Sequence, residues 1–228
     1  MSQINHIAMI MDGNRRWAKE HGKLGPIAGH QAGYKRFKEI AELCRKKGIK
    51  TLTVYALSTE NWKRTKEEVG ALLGLLRFAL EKEIDQLHND NVRVRILGRR
   101  TDLPDDLRES VRKAQELTAE NTGGDLNIAI SYGGRAEIVD AVQDIVKQGI
   151  APDKIDEQVV ADNLYTAGQD DPDLVIRCGG QKRLSNFLLW QSAYSEIYFT
   201  DVFWPDFDEN ELDKALSFFE EIKRNFGK

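Results

Sequence analysis

The chain has 228 residues, 41% hydrophobic and 31% charged, an ordinary balance for a globular protein with one α/β core and no need for a second. A formal net charge of -4 and a pI of about 5.7 exclude a general nucleic-acid binder, and no apolar run approaches the ~20 residues of a membrane span. Two cysteines, Cys44 and Cys178, give neither a disulfide framework nor zinc spacing, and the opening residues lack a charged-then-apolar signal pattern, so the expected address is the cytoplasm.

Ile7 to Met11 is the right length for a buried strand, and it stops at Asp12-Gly13-Asn14-Arg15-Arg16 before a helical pattern. A Gly/Pro-rich linker, Gly22 to His30, precedes an amphipathic helix from Ala32 to Lys47 that Gly48 closes. Thr51 to Leu57 is the second strand and ends in Ser58-Thr59-Glu60-Asn61-Trp62-Lys63-Arg64. Thr65 with Glu68 forms a capping box for a long helix to about Asn89, whose broad apolar face runs from Val69 to Leu87.

Val92 to Leu97 is a third strand, Pro104 to Thr118 a helix, and Leu126 to Ser131 a fourth strand. Gly133-Gly134-Arg135 turns into a helix ending near Gly149, and Asp156 to Leu164 is a short helix. Asp173 to Ile176 is a strand running into Arg177 and Cys178 to Asn186, and Phe187 to Gln191 is helical or irregular. Glu196 to Phe199 is a last strand, and Asp208 to Phe226 the closing helix. Strands alternating with helices predict a single α/β domain over residues 1–228, a mainly parallel central sheet with helices on both faces.

Three predicted strand ends therefore carry groups suited to diphosphates: Asp12 to Arg16, Ser58 to Arg64, and Arg177 to Asn186. Arginine forks clamp phosphate oxygens bidentately, and glycine lets backbone N–H groups approach an anion. Asp12 is a poor neighbour for phosphate unless a divalent metal such as Mg²⁺ stands between them. Each cluster alone also reads as a solvated turn; their recurrence at strand ends, where open α/β sheets bind ligands, argues for a site. Walker and G-x-G-x-x-G loops are missing, and Asp105-Asp106 is read as a helix start rather than a metal motif. Of the four histidines, His30 is the best functional candidate, while His6 reads as a satisfied polar residue.

Several blocks in order then resemble a known family. His6 to Lys19, Gly29-His30-Gln31-Ala32-Gly33, Tyr55 to Arg64, Asp173 to Arg177 with Arg183 to Gln191, and Tyr194 to Phe199 with Trp204-Pro205-Asp206-Phe207 look like the signatures of cis-prenyltransferases, the undecaprenyl diphosphate synthase family. The likeness spans essentially the whole chain. It implies a homodimer that condenses isopentenyl diphosphate onto an allylic diphosphate, usually farnesyl diphosphate, with Mg²⁺ as cofactor. The product would be a cis-polyprenyl diphosphate, the precursor of a lipid carrier for cell-wall glycans, released through transient contact with the inner face of the membrane.

Carried over residue by residue, the resemblance makes Asp12 the catalytic carboxylate that positions Mg²⁺, with Glu196 as the second metal-linked acid. Gly13, Asn14, Arg15 and Arg16 bind the allylic diphosphate, and Trp17 and His30 line the site. Ser58, Thr59 and Glu60 form a mobile loop, Asn61 is the family's proton acceptor, and Trp62 and Arg64 contact substrate. Arg177, Arg183, Leu184 and Ser185 hold isopentenyl diphosphate. Because a neutral amide is a weak base, Asn61 either accepts the proton or only relays and orients, with a diphosphate oxygen or His30 as acceptor. The Val69 to Leu87 face becomes a tunnel wall, and small Ala56 leaves room beneath the site for a growing chain.

Two positions depart from the family pattern. Pro26 stands where an arginine is usual, with Lys23 as a substitute charge, and Gln181 replaces a glutamate, which removes an anion beside the isopentenyl site. Other readings are a catalytically silent partner subunit, a shorter-chain synthase, and a nucleotide-binding α/β module.

Overall fold

In the computed structural model, which describes residues 4–22 and 25–222, the apolar runs pair into one six-stranded sheet. The strands are β1 His6–Ile10, β2 Thr51–Ser58, β3 Val92–Leu97, β4 Gly124–Tyr132, β5 Leu174–Arg177 and β6 Glu196–Phe199, in the order β3-β4-β2-β1-β5-β6. Every neighbouring pair is parallel. The helices are α1 Asn14–Glu20, α2 Gly25–Lys46, α3 Lys66–Lys82, α4 Ile84–Asn89, α5 Asp105–Thr118, α6 Gly134–Lys147, α7 Glu157–Ala161 and α8 Glu209–Glu221.

The two sheet faces are covered unequally. One carries the main core, where Ile7, Met9, Val54, Ile128 and Ile176 meet Ile40 and Cys44 of α2, Leu72 and Leu80 of α3, Val111 of α5 and Leu212 of α8. The other is narrower: Ala8, Ile10, Ala129 and Val175 pack under Tyr132, Phe187 and Leu188, and α6 is fastened beside them through Glu137. Burial of this alternating apolar surface, at about 25 cal/mol per Å², is what selects the register.

Two elements differ from expectation for identifiable reasons. Helix α2 begins at Gly25, where a linker was expected, because its glycines serve packing rather than flexibility. A Cβ on Gly29 would stand 2.0 Å from the Asn14 carbonyl oxygen, and one on Gly33 would stand 2.3 Å from Asn14 Oδ1. Only bare backbone lets α2 lie this close to α1. The long helix expected to Asn89 breaks at Glu83, which turns α4 so that Ile84 and Leu87 join the core. The closing helix is described to Glu221; its expected last turn, 223–226, lies outside the described residues.

The β2–β4 ladder contains two compensating irregularities. Tyr55 faces Ala129 and Leu57 faces Ile130, so Ala56 is an extra residue on β2; Ser58 then faces Tyr132, so Ser131, at φ 47°, is an extra residue on β4. Bulges re-aim side chains near sites, and this pair brings Ala56 into a cavity wall just before the strand ends.

Candidate active site

Because β2, β1 and β5 are neighbours in a parallel sheet, their carboxyl ends lie side by side. The chain leaves β1 toward β2 on one side and returns to β5 on the other, so β1 is a topological switch point, the usual place for a ligand crevice. The three polar clusters therefore converge. They rim one cavity of about 1160 Å³ that continues inward between α2, α3 and the sheet. Its mouth carries Asp12, Gly13, Asn14, Arg15, Arg16, His30, Ser58, Glu60, Asn61, Arg64, Arg177, Arg183 and Ser185; its interior is lined by Tyr34, Phe37, Val54, Ala56, Leu72, Leu76, Ala79 and Ile128.

Asp12 and Arg177 form the centre. Arg177, 4% exposed, donates from Nη2 to Asp12 Oδ2 at 3.0 Å and from Nη1 to Ser185 Oγ at 2.7 Å and to the Arg183 carbonyl. Its Nε is buried without a partner, as is Asn14 Oδ1. The Gly13 N–H donates to Asp12 Oδ1 at 2.6 Å, and Arg16 reaches the same oxygen at 3.2 Å while also donating to the Gly179 carbonyl. Gly13 and Gly179 hold φ angles of 107° and 81°, and a Cβ on Gly179 would stand 2.6 Å from the Arg16 guanidinium. Here glycine is required both for the left-handed backbone and for the close approach of the two loops. Arg16 further rests over the Phe203 ring at 5.1 Å.

The second cluster is ordered by its own capping box. Ser58 Oγ accepts from the Asn61 N–H and Asn61 Oδ1 accepts from the Ser58 N–H, both at 3.2 Å, starting the 3-10 helix Thr59–Lys63. The Asn61 carbonyl oxygen, its only basic atom, is thus engaged in holding the loop, which favours an orienting role over proton acceptance. Glu68, expected to complete a capping box with Thr65, does only half of that: its N–H is capped by Thr65, but its carboxylate turns inward. There it accepts from His30 Nε2 at 3.2 Å and Arg64 at 2.8 Å, and lies 3.8 Å from Arg15. Burial lowers the His30 pKa, and Glu68 opposes that shift. The Arg64–Glu68 pair has the i,i+4 spacing that sequence can show, whereas nothing local marks the turn toward His30, which comes from a distant segment.

Several expected site residues stand elsewhere. Trp17 stays outside the cavity wall; its Nε1 donates to Asp206 and its ring stacks on His21, anchoring α1. Trp62 is likewise not among the cavity-lining residues; it donates to Ser131 Oγ at 2.9 Å and secures the bulged β4 end. Thr59 lies against Gly133, and Leu184 packs with the narrower core. The largest correction is Glu196. It pairs with Leu174 at the amino end of β5, whereas Asp12 follows Ile10, which is level with Arg177. Three residues of strand, roughly 10 Å, separate those levels, so the structure does not bring Glu196 together with Asp12.

Among the described residues, no three His, Cys, Asp or Glu side chains form a ready metal cage. Of the mouth carboxylates Asp12 and Glu60, Asp12 is the one set among Arg16 and Arg177. Its hard carboxylate suits Mg²⁺, which binds through one or two carboxylates and takes its remaining ligands from substrate phosphates and water. At the departing positions, Pro26 and Lys19 line the mouth, Gln181 Oε1 accepts from Arg183 at 2.6 Å, and Lys23 lies outside the described residues.

A family model for undecaprenyl diphosphate synthase, of prenyltransferase type, matches residues 10–227. The chain is 48% identical over 226 residues to the ditrans,polycis-undecaprenyl-diphosphate synthase ((2E,6E)-farnesyl-diphosphate specific) of Escherichia coli (strain K12), covering 97% of this chain and 89% of that one. It is 49% identical over 226 residues to an isoprenyl transferase of Heliobacterium mobile, covering 97% and 86%. Among solved structures, lavandulyl diphosphate synthase from Lavandula x intermedia, crystallised with dimethylallyl diphosphate, superposes with a TM-score of 0.94 at 37% identity, covering 99% of this chain and 98% of that one. The chain belongs to the undecaprenyl diphosphate synthase family of prenyltransferases.

Proposed function

We propose that this chain condenses isopentenyl diphosphate with an allylic diphosphate to form a cis-polyprenyl diphosphate, in an Mg²⁺-dependent reaction. One observation carries the reading: a single cavity of about 1160 Å³ joins an arginine-rich mouth directly to an apolar interior. A nucleotide module has no use for such an interior. The family relationship supports the same activity, and a long starter such as farnesyl diphosphate fits the depth of apolar wall.

In this reading Gly13, Asn14, Arg15 and Arg16 grip the starter diphosphate, while Arg177, Arg183 and Ser185 grip that of isopentenyl. Asp12, already oriented by Arg177 and the Gly13 N–H, would hold the metal, which when bound supplies positive charge beside the departing diphosphate. The arginines neutralise the diphosphate's developing negative charge as the allylic C–O bond breaks. The isopentenyl double bond attacks the allylic carbon, and a proton leaves the adjacent carbon to a diphosphate oxygen or to His30, which burial keeps neutral and able to accept it. Asn61 orients rather than takes the proton. Each new five-carbon unit moves about 4 kcal/mol worth of hydrocarbon out of water as it slides between α2 and α3.

The homodimer belongs to this reading. Val139, Val142 and Val146 stand exposed at i, i+3 and i+7 on α6, an apolar stripe suited to a second copy. Among the described residues no helix is long and apolar enough to cross a membrane. Product would therefore leave from the cytoplasmic side by transient contact with the bilayer. The purified chain alone, given both diphosphates and Mg²⁺, should incorporate isopentenyl units, and removing the metal should stop it. Activity appearing only after a second, different chain is added would establish the silent-subunit reading instead.

A further inference from the structure

Resting on that reading, we propose that Asn186 is a positioning residue that couples the Thr59–Lys63 loop after β2 to the isopentenyl-side loop. It follows Ser185 and holds φ at 66°, a left-handed backbone that asparagine tolerates and most side chains do not. Three elements meet on it. Its side-chain Nδ2 donates to Glu60 Oε1 at 3.0 Å, across from the second cluster. Its Oδ1 accepts from the Arg135 N–H at 2.9 Å, and its carbonyl accepts from the Gly134 N–H at 2.7 Å. One residue thus satisfies two otherwise unpaired N–H groups at the start of α6 and reaches the loop after β2.

The junction is tight. A Cβ on Gly133 would lie 2.6 Å from Asn186 Nδ2 and 2.8 Å from Thr59 Oγ1. Burial pushes the Glu60 carboxyl up, but hydrogen bonds from its own backbone, Asn186, Ser58 and Thr59 more than offset this and leave it ionised. The Asn186–Glu60 bond is therefore charge-assisted and directional. Ser185, one residue back, is held to Arg177, so displacing Asn186 displaces an oxygen at the isopentenyl site as well. Asn186 itself lines the cavity, but its side chain is engaged by Glu60 and the Arg135 N–H, so binding on one side then orders the other.

Asn186→Asp tests this, because it keeps the left-handed tolerance and the acceptor for Arg135 while setting a carboxylate against Glu60. Losing a charge-assisted bond should raise KM for isopentenyl diphosphate about tenfold, with kcat changing less. In an Glu60→Gln background the same change should cost under about threefold, because the glutamine amide can donate to the new aspartate. Asn186→Gly, which keeps the backbone angle without the side chain, and Glu60→Ala, which removes the acceptor of this bond at the mouth, should raise the same KM. Equal penalties for Asn186→Asp with and without Glu60→Gln, or an unchanged KM in Asn186→Gly and Glu60→Ala, overturn the proposal. A wild-type chain with no incorporation at all overturns instead the functional reading on which it rests.

Discussion

The two ends of the sheet treat polar side chains in opposite ways. At the amino ends, His6, Thr53, Asn127 and Gln169 form a closed network. His6 Nδ1 donates to the Asp170 carbonyl at 2.8 Å, Thr53 donates to His6 Nε2 at 2.7 Å and accepts from Asn127 at 2.9 Å, and Asn127 and Gln169 exchange amide bonds. At the carboxyl ends, Arg177 Nε and Asn14 Oδ1 remain unpaired and Arg15 is largely exposed, whereas at the amino ends the exception to the closed network is Asn5 Oδ1, just before β1. Satisfied groups stabilise the fold and have little left for a ligand. Groups kept ready for a ligand cost stability until one arrives.

That contrast breaks most visibly at Arg177. Replacing it with alanine strips the Asp12 carboxylate and Ser185 of their shared partner, so kcat/KM should fall by about a thousandfold or more, as befits loss of a buried charge pair. Steady-state rates at saturating Mg²⁺ measure it. At the opposite end, Thr53→Val should lower unfolding free energy by about 1–3 kcal/mol in urea titration, since it leaves His6 and Asn127 short of a partner, with kcat/KM nearly unchanged. An effect of similar size on catalysis would erase the distinction between the two ends.

Acid sharpens the same difference. Burial holds the His6 pKa below its ordinary 6.5, so the unfolded chain takes up this proton first as pH falls. The stability contributed by neutral His6 is full above pH 6.5 and declines below it toward the folded-state pKa, at no more than about 1.4 kcal/mol per pH unit. Glu137, whose pKa burial raises, acts with the opposite sign, so the measurement is the difference in slope between wild type and His6→Gln from pH 7 to 5. The variant should show the flatter loss. Inside the cavity, Ala56→Leu should shorten the product by one or more units, read by chromatography against polyprenol standards, with little change in the first condensation. The smallest effect belongs to Lys38→Ala, which removes an exposed pair with Glu83 at the α3–α4 break and should cost under about 1 kcal/mol.

Much of this was legible in the sequence where a single local rule governs. Strands β3 and β6 have the bounds their apolar runs predict, and the polar clusters after β1, β2 and β5 do line one mouth. What was not legible depends on contacts between distant segments. Gly29 reads as linker because nothing local shows Asn14 pressing against it. Trp17 and Trp62 read as site residues because their hydrogen-bond partners, Asp206 and Ser131, lie far along the chain. Glu68 read as a cap because its turn toward His30 depends on how α2 and α3 pack. Glu196 was read as a partner of Asp12, but only the register of β5 and β6 reveals which end of the sheet it occupies.

The central claim is that the charged mouth and the apolar interior are one binding site. A crystal grown with Mg²⁺, isopentenyl diphosphate and a non-hydrolysable farnesyl analogue tests it most directly. Diphosphate density beside Asp12, Arg16, Arg177 and Arg183, with the isoprenoid tail running past Ala56 between Tyr34, Leu76 and Ala79, is the expected result. A tail lying across the outer surface, or diphosphates bound away from Asp12, would contradict it.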